Sequence, residues 1–198
     1  RTRLIKKDKI EVLYNCLPNN SIDLSPKKQI IYGAGLEEYI LGYVGRIEKA
    51  KGVFYLLDAF AELVGDFPNL KLVLVGSGAD LDLAKIYCIE KEISEKVEFT
   101  GFYFGDINIM LRTFNLFVFP SLWEGLPYSI LEAMANSKLV VSTNVGGIPE
   151  IIEDNINGFL VPPGNSKALF EKIKSVLNDL KDYDAIQENS LNTIKSKF

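Results

Sequence analysis

The sequence predicts an α/β fold, a parallel sheet of about six strands with helices on both faces. Short apolar runs alternate with amphipathic stretches along most of the chain, and a helical stretch separates nearly every run from the next. The loops of unusual composition all fall at the ends of apolar runs, and in a parallel sheet those ends form one crevice.

Tyr39 to Val44 reads as the first strand and ends in Gly45 and a polar turn. From Lys51 onward Val53, Leu56, Leu57, Phe60, Leu63, Val64 and Phe67 recur at helical spacing and define one buried face. Leu70 to Val75 is the next strand, closed by Gly76-Ser77-Gly78; a helix from about Asp80 to Glu92 and a strand around Val97 to Phe99 follow. Then come a short helix near Ile107 to Arg112, a strand Leu116 to Phe119, and a helix starting at Pro127, where a missing N–H costs nothing. Leu139 to Ser142 is a strand, a short helix begins near Ile148, and Phe159 to Val161 follows the Asn157-Gly158 turn. The last patterned helix carries Leu169, Ile173, Val176, Leu177 and Leu180. Residues 1–38 read as a lead-in or linker, 39–180 as the domain, and 181–198 as a charged helical tail.

Composition narrows the chemistry. With 47% hydrophobic and 24% charged residues, the 198-residue chain is an ordinary globular domain rather than a disordered one. A formal charge of −4 lacks the basic footprint of a nucleic-acid binder, yet two or three cations suffice for a diphosphate. Histidine is absent, which removes Ser-His-Asp and Cys-His nucleophilic systems and any His-ligated metal. The two cysteines, Cys16 and Cys88, read as structural thiols of a reducing compartment, with one disulfide formally open. Arg1, Arg3, Lys6 and Lys7 are not followed by the apolar core of a signal peptide, and the longest apolar runs are too short for a membrane span.

Three loops hold the candidate chemistry. In Gly45-Arg46-Ile47-Glu48-Lys49-Ala50-Lys51-Gly52, Arg46 can fork two phosphate oxygens and Lys51 can add charge at a helix N-terminus. Taken alone, the same loop is also a solvated basic turn. In the loop from Ser121 to Pro127, Glu124 precedes a helix that carries Glu132, and Gly125 lets backbone approach a ligand. Five residues of helix between Pro127 and Glu132 rise about 7–8 Å, so the two carboxylates address different parts of one extended ligand or are simply exposed. Asn144-Val145-Gly146-Gly147-Ile148-Pro149-Glu150 is either a tight turn or a set of free N–H groups facing an anion. Gly76-Ser77-Gly78 is a weak dinucleotide match, lacking the third glycine. Phe102 and Tyr103 follow a strand; they could flank a base, with core packing the expectation for Phe102.

In order, these strings resemble the retaining glycosyltransferases of family 4, the group 1 glycosyltransferases. The matches are Gly45-Arg46 with Lys51-Gly52, Val73 to Gly78, Phe99-Thr100-Gly101, Phe119-Pro120-Ser121, Glu124 to Pro127 through Leu131 to Ala135, and Gly146 to Glu150 through Asn157 to Val161. The resemblance implies one Rossmann-like lobe of a GT-B enzyme, binding a UDP-, GDP- or ADP-sugar with neither metal nor cofactor. It casts Arg46, Lys51 and Glu124 as catalytic, the first two on the diphosphate and the third beside the sugar. Gly125, Leu126, Pro127, Glu132, Gly76, Phe102 and Tyr103 become substrate-binding positions, with Glu132 on the ribose and Phe102 and Tyr103 near the base. It implies an acceptor lobe ahead of this chain, no nucleic-acid partner, and a cytoplasmic location that leaves room for peripheral association of the full-length protein with the inner face of a membrane. Rival readings are a non-catalytic sugar-nucleotide-binding module and an epimerase lobe, although an epimerase's usual acid/base carboxylates and histidines are not visible. The chain departs from the family at Ser137 and Leu139, where Gly and Pro are common, and at Asn115, where Asp is common; all three read as structural tuning.

Overall fold

The structure, a computed structural model, describes residues 14–17, 38–180 and 183–198; the lead-in expected over 1–38 lies outside the described residues apart from 14–17 and 38. Six strands form one sheet: β1 (Tyr39–Val44), β2 (Leu70–Val75), β3 (Val97–Gly101), β4 (Leu116–Phe119), β5 (Leu139–Thr143) and β6 (Phe159–Val161). All neighbours are parallel, in the order β3-β2-β1-β4-β5-β6. Every residue of β4 and β5 is buried, which is why Leu116–Phe119 and Leu139–Val141 read as unbroken apolar runs rather than as alternating ones.

The helices are α1 (Val53–Asp66), α2 (Leu81–Glu90), α3 (Ile107–Thr113), α4 (Tyr128–Ala135), α5 (Ile148–Ile151), α6 (Ser166–Asn178) and α7 (Asp184–Lys197). On α1, Val53, Leu56, Leu57, Phe60 and Leu63 are buried at spacings of three and four, so one stripe faces the sheet. Truncating Phe60 to alanine there would cost about 3–5 kcal/mol. α1 packs against α2 and α6 on one face of the sheet; α4 packs against α3 and α7 on the other. α7 buries Ser190 and Ile194 against this second layer, so the charged tail is a covering helix.

Two departures from the family pattern have structural explanations. Asn115 clamps the start of β4 to β1: its side chain accepts the Ile40 N–H at 2.8 Å and its own N–H donates to the Ile40 carbonyl at 2.9 Å. Ser137 sits at φ +54°, the left-handed position that ends α4; the Ser137 N–H donates to Met134 O and the Lys138 N–H to Ala133 O. This is a Schellman stop, which glycine fills without steric cost.

Chain direction across the sheet reverses once. From β1 the chain steps outward through β2 to β3, returns over α3 to β4 beside β1, then steps outward the other way. The reversal lies between β1 and β4, and loops leaving adjacent strands there diverge and open a crevice.

Candidate functional site

All five loops singled out in the sequence emerge at the carboxyl edge of this sheet: Arg46 and Lys51 after β1, Gly76 after β2, Phe102 and Tyr103 after β3, Glu124 after β4 and Gly146 after β5. The two with the strongest candidate chemistry, after β1 and β4, flank the reversal point.

Across that point Lys51 and Glu124, 73 positions apart, form an ion pair with Nζ 2.5 Å from Oε1. Their side chains retain only 14% and 10% of their exposure. Arg46 is arranged differently: its guanidinium is well exposed and pairs with Glu48 at 3.0 Å. Beneath it lies Tyr43, fully buried on β1, whose hydroxyl donates to the Arg46 carbonyl at 2.7 Å. Burial, and secondarily the charge of Glu124, push the Tyr43 phenol far above its ordinary value, so it stays a neutral donor.

The loops are braced main chain to main chain. Gly52, at φ +70°, brings the β1 loop onto the β4 loop so closely that a β-carbon would stand 1.8 Å from the Pro120 carbonyl oxygen. Gly146, at φ +53°, does the same for the β5 loop, where a β-carbon would meet the Glu124 carbonyl oxygen at 1.9 Å. Gly76 lies over the Gly45 carbonyl, so its place is the seam between the β2 and β1 loops. Side chains complete the bracing: Ser142 donates to Phe119 O at 2.7 Å and Thr143 to Ser121 O at 2.5 Å, both buried. Asp80 accepts the Lys49 N–H at 2.8 Å, which ties the β2 loop to the turn carrying Lys51.

Four helices begin at this edge without a side-chain cap, α1 after Gly52, α2 after Asp80, α4 after Pro127 and α5 after Gly147; α1 and α4 are the two that flank the reversal point. Pro127 is the cap residue of α4 rather than its first helical residue. Uncapped first-turn N–H groups beside Lys51 are a favourable setting for an anion. α3 and α6, by contrast, carry Asp106 and Asn165 caps that accept from Asn108 N and Ala168 N.

Glu132 lies in the second turn of α4, and burial raises its carboxyl above the ordinary range. Among the described residues no cation or donor answers its carboxylate. Leu126 packs against the core, and its carbonyl accepts from the Asn15 side chain at 3.1 Å. Pro127 is buried, whereas Gly125 faces open space.

The expectation for Phe102 is corrected here. Phe102 does not pack in the core: it is 67% exposed and lies against the still more exposed Phe104, ring centroids 4.8 Å apart, while Tyr103 is the one packed against the core. Gly101, at φ +69°, turns the chain just before Phe102. The Gly146-Gly147 turn is the tight-turn alternative as far as Gly147 is concerned, because its N–H is committed to the Gly125 carbonyl at 2.9 Å. Sequence reasoning missed Tyr43, Asp80, Ser142, Thr143 and Asn15. The signal for two of these was present, since polar Ser142 and Thr143 end an otherwise apolar buried strand. Among the described residues no cluster of three acidic or cysteine side chains could hold a metal ion, and no helix is long and apolar enough to cross a membrane. Both cysteines are free.

A doubly wound sheet with a charged reversal point defines a ligand-receiving Rossmann-like lobe. The chain belongs to the glycosyl transferases group 1 family, whose sequence profile matches residues 25–193. It is 32% identical over 199 residues to an uncharacterized glycosyltransferase of Methanocaldococcus jannaschii, covering 97% of this chain and 51% of that protein. The chain spans about half the length of the curated relatives it matches. Among solved structures, the C-terminal domain of the group 1 glycosyl transferase LpcC from Francisella tularensis superposes with a TM-score of 0.73 at 30% identity, covering 80% of this chain and 85% of that one. HepE of Anabaena, in complex with UDP, gives 0.75 at 28% identity, covering 81% and 45%. HepE has also been solved with UDP-glucose.

Proposed function

We propose that residues 39–180 are the donor-binding unit of a glycosyltransferase that moves a sugar from a nucleotide-sugar to an acceptor hydroxyl with retention, the acceptor being held by a second lobe. The observation that carries this is the convergence of Lys51, Glu124 and two uncapped helix N-termini at the reversal point of the sheet. UDP and UDP-glucose in the structurally similar HepE support the ligand class.

On this reading Lys51, Arg46 and the first-turn N–H groups of α1 meet the diphosphate. As transfer proceeds, the bond from the anomeric carbon to the β-phosphate oxygen breaks and its electron pair stays on that oxygen. The acceptor oxygen bonds to the same face of the anomeric carbon, and its proton passes to the departing phosphate oxygen. Cations and helix dipoles fixed where negative charge develops lower this barrier without reorganising. No cofactor or metal enters the scheme. Glu124 meets the sugar hydroxyls, Glu132 the ribose hydroxyls, and Phe102 and Tyr103 flank the base.

The test is calorimetry of this chain with UDP, GDP and ADP and their glucose or mannose conjugates, beside a transfer assay. The expected outcome is weak nucleotide binding and no turnover. Glu132→Ala is expected to weaken nucleotide and conjugate alike by roughly 1.5–3 kcal/mol, the worth of a charge-assisted hydrogen bond. Failure to bind any of the six compounds overturns the reading.

A further inference from the structure

On the donor-binding reading Glu124 meets the sugar hydroxyls, which a bare nucleotide lacks. Its partner in the structure is Lys51, which the same reading places on the diphosphate. The carboxylate holds the very lysine that a diphosphate needs, in a pair that is nearly closed to water. The main chain at both ends is held in place. Lys51 ends a single 3-10 turn whose next residue, Gly52, is wedged on Pro120, and the Glu124 main chain is wedged under Gly146.

We propose that Glu124 is a specificity-determining residue that makes the site prefer the sugar conjugate over the bare nucleoside diphosphate; the proposal rests on the donor-binding reading above. A diphosphate that takes Lys51 leaves Glu124 as an uncompensated carboxylate in a largely dehydrated position. It also brings negative phosphate oxygens within a few ångströms of that carboxylate, where like charges repel strongly. A bare nucleoside diphosphate offers nothing in return. A nucleotide-sugar does, because its hydroxyl groups donate hydrogen bonds to the carboxylate as the lysine leaves it. Lysine and sugar therefore exchange places on one carboxylate, and the product diphosphate, having lost its sugar, meets the lysine already claimed. Discrimination comes from what the wrong ligand leaves unpaired.

Calorimetry with UDP and UDP-glucose, repeated with GDP and GDP-mannose and with ADP and ADP-glucose, tests this on the unmodified chain and on Glu124→Gln. Glutamine keeps the size and the hydrogen-bonding oxygen but not the charge. Glu124→Gln is expected to tighten the bare diphosphate about fivefold or more without tightening its conjugate, so that the preference for the conjugate collapses. Glu124→Asp, which keeps the charge, is not expected to tighten the bare diphosphate as Glu124→Gln does. Thermal melting of each variant separates lost folding from altered binding. If the unmodified chain binds a diphosphate and Glu124→Gln leaves that affinity unchanged or weaker, the exchange is wrong while the donor-binding reading stands. If the unmodified chain binds none of the six, both fall.

Discussion

The Tyr43 hydroxyl and the Arg46 carbonyl, three residues apart, are joined by a 2.7 Å hydrogen bond that curls the chain over the end of β1. The ring beneath it is stacked on Phe119 of β4, so the turn presenting Arg46 is referenced to the neighbouring strand as well as to its own. Tyr43→Phe keeps the stack and removes the bond. It is expected to cost about 0.5–1.5 kcal/mol of stability, read by urea unfolding. Nucleotide affinity is expected to fall as well, since the exposed guanidinium of Arg46 then rides on a looser turn.

Ser137 occupies a left-handed position at the end of α4 where a β-carbon is a burden. Ser137→Gly is expected to raise stability by about 1 kcal/mol, because relief of that strain outweighs the added freedom of the unfolded chain. Loss of stability in chemical denaturation would show that the serine side chain supports this stop in another way.

Gly52, on the β1 loop, and Gly125, on the β4 loop, are expected to respond unequally to alanine. At Gly52 the new β-carbon would collide with Pro120 main chain at a positive φ, so Gly52→Ala is expected to cost more than the ~1–2 kcal/mol of left-handed strain alone. At Gly125 it would meet nothing within 4 Å, and Gly125→Ala is expected to melt within about 0.5 kcal/mol of the unmodified chain. Differential scanning calorimetry of the two variants settles the contrast.

Glu132 supplies a pH signature. Burial raises its folded-state carboxyl above the ordinary value of 4.5, so the folded chain holds this proton to higher pH than the unfolded chain does. Stability from this group is therefore fully present below the ordinary carboxyl value and is lost as pH rises through the folded value. Glu132→Gln, which stays neutral, is expected to be the more stable variant at neutral pH, with the gap closing as pH falls to 4 and below. Urea midpoints across that range check it, and a gap that widens on acidification would contradict the burial argument.

Much of this architecture is legible in the sequence because strands buried on both faces leave unbroken apolar runs, as in Leu116–Phe119 and Leu139–Val141. Strand order is not local information, and no residue of β1 signals that β4 rather than β3 will lie beside it. The site loops stand out because charges and glycines interrupt the apolar pattern. Their mutual arrangement does not stand out: Lys51 and Glu124 read separately as a cation and a carboxylate, and only the return of the chain to β4 shows that they neutralise each other. Tyr43 was hidden inside a strand whose pattern asks only for an apolar ring. Phe102 was misjudged because an aromatic beside a strand ordinarily packs inward, and the turn at Gly101 sends it outward instead.

The glycine seams between the loops divide the labour of this edge between two kinds of position. Backbone contacts at Gly52 and Gly146 fix where the loops lie, while the side chains of Arg46, Lys51 and Glu124 project from those loops without forming the seams. Substitutions at Leu122, Trp123 or Phe104, all exposed, are therefore expected to leave the fold in place while altering the surface this edge presents. In a saturation mutagenesis map this would emerge as two interleaved sets of intolerant sites, one emptied by loss of folded protein and the other by loss of binding in protein that accumulates normally.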